Sequence, residues 1–433
     1  MKIILCVVVP LLLISEAGAA SDAISGQRLI SASRLIDMIG VNTHLQQLDG
    51  TYGDLPKVLQ LFKFLGVTRA RDVMPGGNTL GIVRRMIYDK IRFNFFIPTG
   101  WEKGRTVGYL KSLEANVPGA VTSVEGYNEI NNHPVEFNGR SGPAAALFGQ
   151  QAIYKAIKND DILKDKPVLD LSGFEMTEAS NPEKRVTLNG YADGMNLHVY
   201  AQNGSQPGHW IREGVPDIYR SLNDHPRKAI TEFGYASLPQ TGWRVIGVDE
   251  RSQAKGLLNG IFDAAIAGFD WIYLYELVDQ RFDSSSQNRE LHFGLFKYDY
   301  QPKPAAFAIR NMIDVLNDDP KLATPSVADS SDDKVNISLD REPGDIAVRS
   351  LRIRKTNGSL VVAVWRETPF WDRAKGGPLE APGLPSKISF HKPCGSIKLY
   401  DVLESRDPTL MKSSNSMTVD VKDYVQLVEC TKV

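Results

Sequence analysis

Residues 254–275 read AKGLLNGIFDAAIAGFDWIYLY, and the change of rhythm inside this stretch decides the fold. Ala254, Leu257, Leu258, Ile261, Phe262 and Ala265 recur at i, i+3, i+4 and i+7, the stripe of a helix that packs on a sheet. Trp271 to Tyr275 then form a short apolar run of strand length. The same alternation extends from about residue 36 to 316. Its strand candidates are Met38 to Asn42, Val67 to Asp72, Arg92 to Ile97, Val121 to Tyr127, Pro167 to Leu171, Gly194 to Tyr200, Lys228 to Thr231 and Trp271 to Tyr275. Leu55 to Leu65 and Ala144 to Ile157 are helices between them, and Pro304 to Leu316, opened by a proline suited to a first helical turn, is the last. Eight βα units with strands buried on both faces make an α/β fold, a closed (β/α)8 TIM barrel. No Gly-x-Gly-x-x-Gly follows strand one, which argues against a dinucleotide fold.

Beyond Leu316 the texture changes. Asn317 to Lys334 is rich in Asp, Ser and Pro, and Leu360 to Val364, Lys387 to Phe390, Ile397 to Tyr400 and Tyr424 to Val428 are strand-like without helical period. The expected organisation is a barrel over 34–318 and a small antiparallel, sandwich-like β domain over 320–433. The 433 residues, 42% hydrophobic and 23% charged, have room for both. Fifty Lys and Arg against 51 Asp and Glu leave no global charge to attract nucleic acid or an anionic membrane.

At the N-terminus Met1-Lys2 precedes the apolar run Ile3 to Ile14 and the small-x-small sequence Ala17-Gly18-Ala19. Residues 1–20 read as a cleaved signal peptide of a secreted or periplasmic protein, and no other apolar segment is long enough to span a membrane. Cys394 and Cys430 then remain in an oxidising compartment, either as one disulfide or as two buried thiols. Asn203, Asn336 and Asn357 each begin Asn-x-Ser, which matters only in a host that glycosylates.

In such a barrel the reacting groups sit where strands end. Strand four closes with Val124-Glu125-Gly126-Tyr127-Asn128-Glu129-Ile130-Asn131, and strand seven with Ala229-Ile230-Thr231-Glu232-Phe233-Gly234-Tyr235. Glu129 and Glu232 each end an apolar run, where burial is costly without a task. Two carboxyls approaching one pocket from different walls suit glycoside hydrolysis, one kept protonated as acid and the other attacking the anomeric carbon.

These strings resemble the retaining glycoside hydrolases of clan A, whose strand four ends in Asn-Glu-Pro with an acid/base glutamate and whose strand seven ends in a nucleophilic glutamate. Within the clan the resemblance is to family 39 or family 5; Glu125-x-Tyr127-Asn128-Glu129-x-Asn131 is similar to the family 39 version, with Tyr127 where Trp is usual. Ile130 stands where proline is usual, and proline supplies loop shape, not a reacting group. The resemblance implies a carbohydrate substrate and no cofactor, with Asn128 on the sugar 2-hydroxyl. His198-Val199-Tyr200 resembles the clan's His-x-Tyr, whose tyrosine orients the nucleophile. Arg71 matches the arginine that keeps the nucleophile ionised. Arg69, on the same face of the strand, competes for that role.

By position, His44 would touch a sugar hydroxyl, and Trp101, Trp210, Trp243 and Tyr275 with Glu276 would supply sugar-binding surfaces. Three rivals are weighed. A metal hydrolase would draw on His44, His198 and a carboxylate, but no His-x-His marks a strand end. A serine hydrolase lacks its Gly-x-Ser-x-Gly elbow. An inactive carbohydrate-binding or polysaccharide-assembly protein would be expected to lose one glutamate, and both are present.

Overall fold

The computed structural model describes residues 24–25, 28–98, 103–173, 190–213, 227–239, 247–317, 333–339 and 347–433. The signal-peptide reading of residues 1–20 lies outside them. Eight parallel strands, Ile39–Asn42, Arg69–Val73, Arg92–Ile97, Val121–Tyr127, Val168–Leu169, Gly194–Val199, Arg227–Phe233 and Trp271–Leu274, close into a barrel in chain order. The eighth pairs with the first through Ile272 and Ile39. The fifth is shorter than its apolar run; beyond it the Asp170 carboxylate takes the Leu171 N–H at 2.7 Å, while the Asp170 and Ser172 N–H groups still bond the Gly194 and Tyr127 carbonyls at 3.0 Å. Among the described residues no helix is long and apolar enough to cross a membrane.

The helix Glu250–Ile266 shows why the opening stretch reads as it does. Its glycines press on strand seven: a Cβ at Gly260 would run into the Phe233 ring, and one at Gly256 into Tyr235. Its far side is also buried. The C-terminal sheet covers it, with Trp365 6.0 Å from Phe262 between ring centroids and Lys255 paired to Asp423 at 2.8 Å.

That sheet holds Val348–Arg354, Leu360–Arg366, Gln426–Cys430, Ile397–Tyr400 and Leu410–Lys412. Val361, Ala363 and Trp365 join the barrel core, while Leu360, Val362 and Val364 face a second core shared with the three-stranded sheet Val335–Leu339, Leu384–Phe390 and Ser416–Val421. The two periodic faces of one strand therefore serve two cores. Within 320–433 the described strands pair antiparallel, as expected, and Ile24–Ser25 and Leu29–Ser31, from before the barrel, add to the sheet in parallel with Val348–Arg354.

Cys394 and Cys430 are joined by a disulfide, with Cα atoms 5.1 Å apart and 36 residues of separation. Closing a loop of that length removes unfolded-state freedom. Replacing both cysteines by alanine is therefore expected to lower the unfolding free energy by about 2–4 kcal/mol, read from a denaturant titration. An unchanged midpoint would show that the crosslink constrains nothing.

Candidate active site

The rim of the barrel rests on a polar layer where many barrels place branched aliphatics. Arg71, 1% exposed, is its centre. The guanidinium Nε donates to Glu125 Oε1 at 2.8 Å, and Nη2 donates to Glu125 Oε2 at 2.9 Å and to Asn128 Oδ1 at 2.7 Å. Nη1 donates to Glu232 Oε1 at 2.7 Å and to Asn42 Oδ1 at 3.0 Å. All five N–H groups are thereby engaged. Burial alone would lower the guanidinium pKa, but Glu125 and Glu232 outweigh it and raise it. Glu125 also accepts from Asn94 and, at 3.0 Å, from Asn196, and Thr231 donates to Asn196.

Strand seven is irregular at this level. Its ladders with strands six and eight both shift register between Ile230 and Phe233, a bulge that turns Glu232 toward the pocket. The second Glu232 oxygen accepts the Tyr200 hydroxyl at 2.6 Å. Burial and the nearby carboxylates push Tyr200 well above the ordinary range of a phenol, so it stays protonated and donates.

Glu129 follows strand four in a left-handed conformation, φ 46°. His198 Nδ1 lies 2.9 Å from Glu129 and 3.3 Å from Glu232. Its Nε2 is 3.5 Å from the donor-only guanidinium of Arg71, which assigns the proton to Nδ1, between the two carboxylates. Burial raises the Glu129 pKa, yet the hydrogen bond and charge of His198, with the Asn132 hydrogen bond and the His133 charge, together outweigh it, and the net shift is downward.

Glu129, His198 and Glu232 hold ligand atoms within 4.8 Å of one another, close enough to consider a cation. The proton on Nδ1 takes the imidazole lone pair out of that set, and His44 is not part of it. The trio is better suited to moving a proton.

Above it opens a cavity of about 480 Å³, within the range of small-molecule sites. Asn128, Glu129, Glu232, Tyr200, Tyr275, Arg71 and His44 line it. Tyr275 meets Tyr200 and Phe293 edge-on, at 6.0 and 5.4 Å between centroids. His44 Nε2 is 3.1 Å from Glu276, which also accepts from Tyr52 and Gln280. Burial lowers the His44 pKa, but the Glu276 charge and hydrogen bond, joined by the charges of Asp72 and Glu232, together outweigh it and the net shift is upward.

The other candidates are placed differently. His198 lies beneath the carboxylates, and Glu276 is fully buried behind His44, so neither lines the cavity. Trp210 bonds Ser205 at 2.8 Å, because the loop after strand six folds onto the β domain, where Gln206 donates to Thr368 and Asp423. Arg69 turns to the opposite end of its strand and pairs with Asp37 at 2.6 Å. Trp101 and Trp243 lie outside the described residues. Sequence reasoning missed Asn42, Phe96, Asn132, His133, Arg289, Glu290 and Phe293 on the wall, and the supporting role of Glu125. For Glu125 the signal was its place inside the quoted motif.

No protein-family model matches the sequence, and no curated protein is similar to it in sequence. In structure, the chain is similar to a glucosidase from Croceicoccus marinus, at 14% identity over 95% of this chain and 99% of that one, TM-score 0.57. It is also similar to a family 39 glycoside hydrolase from the gut symbiont Bacteroides cellulosilyticus WH2, at 14% identity over 94% of this chain and 82% of that one, TM-score 0.60. What the chain shares with these proteins is the fold, a (β/α)8 barrel with a C-terminal β domain.

Proposed function

We propose that this protein is a retaining glycoside hydrolase acting on a β-linked oligo- or polysaccharide. The observation that carries the reading is the approach of two buried carboxylates, Glu129 and Glu232, with oxygens within 4.8 Å at the floor of one cavity. Retaining enzymes hold their carboxyls about 5–5.5 Å apart, whereas inverting ones leave about 6.5–9.5 Å for a water.

In this reading Glu232, steadied by Arg71 and Tyr200, attacks the anomeric carbon as the bond to the leaving oxygen breaks and Glu129 gives that oxygen its proton. Glu129 then takes a proton from water, whose oxygen displaces Glu232 from the anomeric carbon and restores both groups. Asn128, its Oδ1 committed to Arg71, presents its amide N–H groups to the sugar, with Tyr275 and His44 as further wall contacts. The leader-like segment of residues 1–20 and the disulfide support secretion or a periplasmic site.

NMR of the first product formed from a panel of 4-nitrophenyl β-glycosides should show the starting anomer; an inverted product rejects the double displacement. Glu232→Ala should lower kcat by about 10⁴-fold or more, with azide restoring turnover to the opposite anomer. Sugar binding without turnover by the unaltered protein would instead favour an inactive carbohydrate-binding protein. Because Glu129 must be protonated to act, kcat/KM should fall as pH rises through its lowered pKa, giving an optimum on the acid side. His198→Phe removes a donor to the ionised form and raises that pKa, so the alkaline limb should move to higher pH. An unmoved limb would exclude Glu129 as the group it reports.

A further inference from the structure

Ser172 lies three residues beyond strand five and is fully buried, and every polar group it has engages the turn that carries Glu129. Its N–H donates to the Tyr127 carbonyl at 3.0 Å, its carbonyl accepts the Ile130 N–H at 3.0 Å, and its hydroxyl accepts the Glu129 N–H at 3.0 Å. The Glu129 carbonyl accepts N–H bonds from Asn132 and His133, both at 2.8 Å. Both ends of the residue are fixed in a backbone region that residues with a Cβ seldom occupy.

The departure at position 130 gains a physical meaning here. A proline would have no N–H for the Ser172 carbonyl, and it would press the preceding residue toward extended backbone, away from the positive φ of Glu129. In this chain the turn is held instead by a neighbouring strand end.

We propose that Ser172 is the positioning residue for Glu129, setting the direction from which its carboxyl reaches the glycosidic oxygen. The inference rests on the acid role given to Glu129, and its test has one arm that needs no activity. In the unaltered protein, amide exchange across 127–130 should be slow although Glu129 and Ile130 lie beyond the strand. In Ser172→Ala, with its thermal midpoint checked, the Glu129 amide should exchange about tenfold faster or more. The same variant should lose about 10–100-fold in kcat/KM on alkyl glycosides, which need acid assistance, and less than about threefold on 2,4-dinitrophenyl glycosides. Ile130→Pro should show the same leaving-group pattern.

Unchanged protection, equal losses across leaving groups, or full activity of Ile130→Pro each overturn the proposal. Faster exchange in Ser172→Ala of a protein that cleaves no glycoside would support the clamp and reject the hydrolase reading. An active enzyme with unaltered exchange would do the reverse.

Discussion

A guanidinium with all five donors spent inside a barrel organises the rest of this molecule. Arg71 is the positive charge shared by Glu125 and Glu232, and it also fixes the amides of Asn42 and Asn128. Two carboxylates at this depth would be costly without it, and the arginine would be as costly without them. The planar fork matters as much as the charge. A lysine could neutralise one carboxylate, but it could not reach four side chains from strands one, four and seven in a fixed geometry. The barrel wall supplies the register that makes this possible, since Arg71 is level with Asn42 and Asn94 on its neighbouring strands.

Electrostatics inside this layer divide the labour between the two glutamates. Glu232 is held from below by the arginine and from the side by a phenol that keeps its proton. Glu129 is held by a shared imidazole proton and the Asn132 amide, which favour the ionised form against the pull of burial. The same imidazole Nδ1 lies within 3.3 Å of both carboxylates.

Much of the fold is legible in the sequence because helical and strand periods report burial directly. Arg92 to Ile97, Val121 to Tyr127, Leu55 to Leu65 and Pro304 to Leu316 begin and end where pattern and turn residues place them. The two glutamates are legible for the same reason, as charges that end apolar runs. A period of two could not separate Arg69 from Arg71, because it gives a face and not a depth; the register of strands one to three separates them. Trp210 and Glu276 were misplaced because loop direction is set by what the loop packs against, here the β domain and His44. Glu125 went unassigned because its partner is 54 residues away, and only barrel closure brings the two together. The first two strands, two and three residues long, are too short to carry a pattern.

The strand Leu360–Arg366, apolar on both sides, ties the fate of the two domains together. One row of its side chains completes the barrel core behind helix Glu250–Ile266, and the other fills the sandwich. Its sheet draws on chain from before the barrel as well as after it, so the barrel is enclosed in sequence by the structure that covers its back. During synthesis the helix must wait for strands made long afterwards before its outer face is dry. Until then Lys255 lacks the Asp423 counter-charge and Phe262 the Trp365 cover, and the outer face of the helix stays wet.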